Sequence, residues 1–347
     1  MVWYVNRETV KAALDIKQTA RRDAQVDRAC GTATRMVRGC LHRDFVPWLG
    51  TKYFDWPDLQ GSSSWRVWLD EHEAISLTAL VAGGVTIDPA DYFLEPVNNG
   101  PPYDRIEIDL SSAAAFDVGS THQRDIAATG LWGFDNVTEP AGALAEALDD
   151  SETGVDVTDS ALAGVGDLLL VGAEYLDVTG KTMKDTGVDT GTDLLASKAD
   201  VSITMSTTTG APTVGETILV DSERMRVDDV AGSTLTVERG FDGSTLATHT
   251  SGANIYAPRT LTVVRAARGS TAATHSDTAA LVRQVFPGPV RDLALAYAIN
   301  QVLQETAGYA REVGSGDNQR EYTGRGIGAI EKAAKRACGR QMRIGAV

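Results

Sequence analysis

The chain has 347 residues, of which 43% are hydrophobic and 23% charged, the proportions of a globular protein with two or three domains. Its formal net charge of −15 excludes a general nucleic-acid binder, because neutralising phosphates takes clustered Lys and Arg. The three cysteines, Cys30, Cys40 and Cys338, lack CxxC spacing and an even count, which excludes a disulfide framework and a zinc site.

No signal-peptide run opens the chain and no stretch of about 18 apolar residues could span a bilayer, so the expectation is a protein made in a reducing cytoplasm with no membrane contact. Asn6 is an N-cap for a first helix to about Ile16, with Val10, Ala13 and Leu14 at helical spacing. A second helix spans Asp23 to about His42. Val26, Ala29, Cys30, Ala33, Val37 and Leu41 form its apolar stripe. Arg21, Arg28 and Arg35 recur every seven residues beside it, a solvated face or a contact face for a neighbouring subunit or acidic partner. After Pro47, alternation and aromatic content predict strands at Lys52–Trp56, Trp65–Leu69, Ile75–Val81, Asp91–Leu94, Arg105–Leu110 and Gln123–Leu131. Trp48, Trp56, Trp65, Trp68 and Trp132 lie here without interleaved basic residues, which reads as core and subunit packing. Gly142–Gly154 reads as a short acidic bridge.

From Val155 to Val285 one β-motif occurs twice. Val165–Val178 returns as Val214–Val227 with an offset of 49, whereas Thr234–His249 returns as Thr260–His275 with an offset of 26. A tandem duplication would keep one offset. The drop predicts an outer module, 155–199 with 258–285, that carries a nested module, 200–257, and domain insertion of this kind favours exposed loop tips with neighbouring ends. Ile218–Asp221 and Met225–Val230 read as a hairpin, followed by strands at Thr234–Glu238 and Asn254–Ala257. The 151–286 region is thus an all-β insertion in a core made of 1–150 and the residues after 287.

Pro289 opens a returning helix predicted to reach Glu312, within a segment 287–313, with Val290, Leu293, Ala294, Tyr297, Ala298 and Val302 buried. Gly314–Gln319 reads as a hinge into the arm 314–347. Ile327, Ile330, Ala334 and Cys338 have helical spacing, and Arg325, Lys332, Lys335, Arg336, Arg340 and Arg343 oppose a single acid, Glu331. A hinge followed by a basic amphipathic segment is the composition of an arm that orders on a partner.

No catalytic, cofactor-binding or metal-binding set emerges. Gly324–Gly328 is glycine-rich without a preceding strand, and GxxxxGK[ST], GxSxG and HExxH are absent. Asp70-Glu71-His72-Glu73 surrounds one imidazole with acid, but consecutive residues point different ways. His249 and His275 occupy equivalent repeat positions, each without a second ligand at metal spacing, and read as structural.

Tyr4-Val5 with Val10–Leu14, the helix Asp23–Leu41, Thr51–Pro57, Tyr92–Pro96, Thr129–Phe134 and the helix after Pro289 together resemble the head-to-tail connector, or adaptor, proteins of long-tailed bacteriophages. The resemblance covers roughly 1–135 and 287–347. It implies an α+β fold: a helical connector core with antiparallel β decoration, here plus the inserted all-β region. It also implies a virion neck protein, a homo-oligomer forming a ring of twelve copies beneath the portal protein, with a stopper or tail-completion protein on its other face. Double-stranded DNA would pass through the lumen without sequence-specific binding, and no cofactor or enzymatic activity is implied. On this reading Arg325, Ile327, Ile330, Lys332, Lys335, Arg336, Arg340, Met342 and Arg343 form the portal-binding arm. Arg21, Arg28 and Arg35 make subunit or partner contacts. The alternative is a β-rich phage decoration or adhesion protein that binds a surface ligand.

Overall fold

A computed structural model of the chain describes residues 1–17, 20–57, 64–308, 312–313, 320–321 and 326–340. The fold differs from the expected α+β helical core: the described residues are mostly β, with 37% strand against 21% helix, four α-helices among them and large antiparallel sheets. The expectation failed because α2 and α3 are long and easily read, whereas most strands are short, are separated by Gly- and Thr-rich turns, and outnumber the helices.

In chain order, helices α1 (Arg7–Ala13) and α2 (Asp23–Leu41) come first. Strands β1 (Trp48–Phe54), β2 (Arg66–Trp68), β3 (Ala74–Ala82), β4 (Val85–Ile87), β5 (Tyr92–Glu95), β6 (Arg105–Ile108) and β7 (Ile126–Trp132) follow. Next are β8 (Thr138–Ala143), β9 (Gly154–Asp156), β10 (Leu168–Val171), β11 (Glu174–Asp189), β12 (Ser202–Thr204), β13 (Thr217–Val220), β14 (Glu223–Ala231), β15 (Thr234–Glu238), β16 (Asn254–Ala267) and β17 (Ala280–Gln284). The chain closes with α3 (Gly288–Thr306), the short pair β18 (Glu312–Val313) and β19 (Arg320–Glu321), and α4 (Ile327–Cys338).

The described residues form two compact units, divided differently from the sequence expectation. One contains Met1–Cys40, Thr138–Ala267 and Thr271–Cys338; the other contains Leu41–Val137 with Arg268–Ser270, Gly339 and Arg340. The second unit has a four-stranded sheet, β1-β7-β3-β4, and a three-stranded sheet, β2-β6-β5. Phe54, Val67, Leu69, Leu80, Ile106, Ile126 and Trp132 form its core. Tyr92↔Ile108 and Leu94↔Ile106 pair across β5 and β6 and place alternate residues inward.

In the first unit a ten-stranded antiparallel sheet runs β12-β15-β14-β13-β16-β11-β10-β17-β8, with β9 on β16. It holds two cores related position by position. Leu169, Val171, Leu176, Val178, Leu261, Val263 and Leu281 fill one, and Ile218, Val220, Met225, Val227, Leu235, Val237 and Ile255 fill the other. The first four positions of each are 49 residues apart and the last three 26 apart. Two long strands thread both cores. β11 and β16 pair from Tyr175↔Ala267 to Asp189↔Asn254, with bulges that absorb the change of module.

The segment expected as a bridge carries structure of the outer module. Leu144 and Leu148 belong to its core, and the Leu148↔His275 bridge has its counterpart in Leu194↔His249. Val188 and Leu194 in turn belong to the inner core. The ends of the block are neighbours, since β8 pairs with β17 (Glu139↔Arg283, Thr138↔Gln284).

The Asn6 side chain accepts the Thr9 amide, as an N-cap should. α3 stops at Thr306, short of Glu312, because Ala307 leaves helical geometry and Gly308 takes φ +60°, a left-handed stop.

Candidate functional site

The basic C-terminal segment was the strongest expectation from sequence. α4 is a formed helix packed on α3: Ala334 and Cys338 are buried, and Tyr297 Oη donates to the Glu331 carboxylate. Burial, the Glu331 carboxylate and the Cys40 thiol all push the Tyr297 phenol up, so it stays a donor. Lys332, Lys335 and Arg336 are exposed, Ile327, Ile330 and Arg340 are half-buried, and the Arg340 amide donates to the Leu41 carbonyl at 3.1 Å. Arg325, Met342, Arg343 and the Gly314–Gln319 hinge lie outside the described residues.

Arg21, Arg28 and Arg35 are all exposed. Arg28 reaches Glu305 of α3 at 2.9 Å and ties two helices of the unit together. An exposed pair of this kind contributes little to stability, about 0–1 kcal/mol.

The most highly organised side chains are two buried ionic networks that occupy the same place in the two modules. In the outer one, Arg265 binds Glu174 bidentately (Nε to Oε1 2.7 Å, Nη2 to Oε2 2.8 Å) and donates to the carbonyls of Asp149, Glu152 and Ala273. The Ala266 and Ala273 amides and the His275 ring complete the carboxylate's shell. In the inner one, Arg239 grips Glu223 at 2.8 and 2.9 Å and donates to the Leu195, Asp200 and Ala247 carbonyls. There the amides of Gly240 and Ala247 and His249 Nε2 close the shell, while His249 Nδ1 faces Asp221 at 2.7 Å. Each arginine fastens a strand, a loop and a distant segment at one point, which matters in modules near the lower size limit for an independent core.

Burial pushes both carboxyls up, but the guanidinium, histidine and amide contacts outweigh it and hold Glu174 and Glu223 at about 2. Because these folded-state values lie below the ordinary glutamate value near 4.3, the networks contribute their full stability above that pH and lose it as pH falls toward 2. Thermal melts followed by circular dichroism should therefore show a midpoint that falls steeply between pH 4.5 and 2.5. The fall should be much shallower in a Glu174→Gln, Glu223→Gln double variant.

A third buried pair joins the modules. Arg259 binds Glu216 at 2.9 and 2.8 Å, and the Ser160 amide and hydroxyl reach the same carboxylate at 2.9 and 2.7 Å. The equivalent loop of the outer module, Gly164–Asp167, is held instead by the N-terminal segment. Trp3 N donates to Gly166 O, Asn6 Nδ2 reaches Asp167 at 3.0 Å, and Glu8 accepts the Val165 amide at 2.8 Å. The same loop thus docks each module on the body before it.

Sequence reading marked the two histidines but missed Glu174, Glu223, Arg239 and Arg265. The available signal was that all three residue types recur at equivalent repeat positions. In the second unit the Asp70–Glu73 run diverges: Glu73 pairs with Arg43 at 2.9 Å, and His72 turns its ring toward Phe54 and Trp132. Trp132 is buried, whereas Trp48 remains 39% exposed. Among the described residues no group of three or more His, Cys, Asp or Glu side chains is placed to hold a metal ion, and no helix is long and apolar enough to cross a membrane.

No protein-family model matches the chain, and no curated protein or solved structure is detectably similar to it.

Proposed function

We propose that the chain is a structural head-to-tail adaptor of a tailed phage. It would assemble as a ring beneath the portal, pass DNA through its lumen and receive a stopper or tail-completion protein on the opposite face. The observation that carries this reading is the outward row Lys332, Lys335 and Arg336 on a helix whose other face is already seated on α3. In a chain of net charge −15 this is a local cationic surface on a prepared helix, suited to an acidic partner. Repetition around a ring would convert weak individual contacts into a firm joint.

Since α4 covers part of α3, charge reversal is a cleaner test than truncation. The Lys332→Glu, Lys335→Glu, Arg336→Glu variant should melt as the wild type does yet lose at least about tenfold in affinity for the cognate portal protein, with a weaker salt dependence. Unchanged co-sedimentation with portal rings would refute the assignment of the arm.

The β-dominated architecture favours a second reading, a decoration or adhesion protein whose modules bind a surface ligand. Negative-stain imaging separates the two, because an adaptor forms closed rings with its portal and an adhesin does not.

A further inference from the structure

In the second unit, Trp48, Gly50 and Lys52 alternate along β1 and share one face of the strand. A Cβ on Gly50 would lie 2.2 Å from the Trp48 ring, so the indole is laid across the glycine, where no other residue would leave room. Trp132 is the cross-strand partner of Trp48. The Lys52 ammonium lies over both indoles, 5.1 Å from the centroid of Trp48 and 5.6 Å from that of Trp132. The His72 ring meets Trp132 edge-on, with centroids 6.4 Å apart. These four side chains line one cleft of about 200 Å³.

Lys52 is half-buried, yet its ammonium makes no ion pair or hydrogen bond with a described residue, and the His72 ring makes only aromatic contacts while its backbone amide donates to the Leu69 carbonyl. Burial lowers the Lys52 pKa against the pull of Glu71 and Asp44. Burial, then the Lys52 charge and Arg340 lower that of His72 against the pull of Glu71 and Asp70. Two donor-bearing groups, partly removed from water and with no direct ion pair of their own, thus converge beside aromatic walls. This is the composition of a small-ligand site. The acids nearby do not fill the role: Glu73 is bound by Arg43, Asp44 accepts the Val46 amide at 3.0 Å, and Glu71 sits exposed at the rim. Their presence disfavours a doubly charged phosphate and leaves room for a single negative charge.

We propose that this cleft binds a carboxylate, with the Lys52 ammonium and the His72 ring holding its oxygens and the Trp48 indole covering its apolar body. The proposal is independent of the ring reading. The carboxylate can belong to a free small molecule or to an Asp or Glu side chain of a second copy, and the experiment separates these sources.

Titration of the full chain with benzoate, followed by tryptophan fluorescence, should give a saturable response that benzamide does not reproduce. Lys52→Met, which keeps the apolar stem over the indoles, should weaken it at least about tenfold with an unchanged melting midpoint. In the wild-type chain, peptide mapping after brief acylation should show Lys52 protected by benzoate. That outcome supports a free ligand. If benzoate gives no fluorescence response but dissociates self-associated chains in sedimentation, and Lys52→Met does the same, the carboxylate comes from a second copy. Should benzoate neither bind, protect Lys52 nor alter self-association, the proposal is overturned.

Discussion

Replacing residues 183–259 by a Gly-Ser turn should leave a soluble protein that melts cooperatively. β14 and β15 of the inner module are joined by Gly232-Ser233, with Ala231 paired to Thr234. The equivalent positions of the outer module are Thr182 and Thr260, which are also paired. The whole inner module therefore stands where a two-residue hairpin turn would suffice. Removing it at this boundary restores a short connection and leaves the core of Leu169, Leu176, Leu261 and Leu281 complete. By contrast, deleting 201–257, the boundary suggested by the repeat offsets, leaves Val188 and Leu194 without the core they fill. It also strips the far half of β11 of its partner. A long unpaired edge bearing exposed apolar residues aggregates. Size-exclusion chromatography and thermal melts of the two deletions should give opposite results, and equal behaviour would refute strand sharing as the organising feature of the block.

The second large effect is expected at the paired arginines. Arg265→Ala leaves Glu174 charged, 1% exposed and without its counter-ion, and also removes the donors to three carbonyls. Breaking a buried pair from one side costs about 3–5 kcal/mol, or about 10 °C in melting midpoint for a unit of this size. Arg239→Ala should cost a similar amount, but with a different signature. The inner module hangs from strands the outer one anchors, so it should open first and split the denaturant transition into two steps. In Arg265→Ala the support itself fails, and the loss should appear as one displaced transition. A Glu174→Gln, Arg265→Met double variant should be milder than either single change predicts, because neither partner is then left charged. A loss under about 1 kcal/mol in both alanine variants would show that the networks are ornamental to stability.

Much of the local structure was legible. The Asn6 cap, the span of α2, most strands of 48–132 and the hairpin around Ser222-Glu223 follow from spacing, capping and turn residues. The two repeat offsets, read without coordinates, already require that one copy interrupts the other. Local patterns of period 2 and 3.6 record which face of an element is buried, and identity between copies records common descent. Both are properties of the chain alone.

The tertiary structure decided the rest. Period-two alternation cannot say which strand lies beside which, so nothing in the sequence shows that β11 and β16 run through both modules or that 138–154 belongs to the first of them. The same limit concealed the weight of β over α and the division that places Met1–Cys40 with the β block. Single charged letters also carry no sign of burial. Nothing in the letters of Arg239, Arg265 or Lys52 shows that each arginine meets a buried glutamate or that the lysine lies over the Trp48 and Trp132 rings. In each case the deciding quantity is the distance between residues far apart in the chain, which only folding sets.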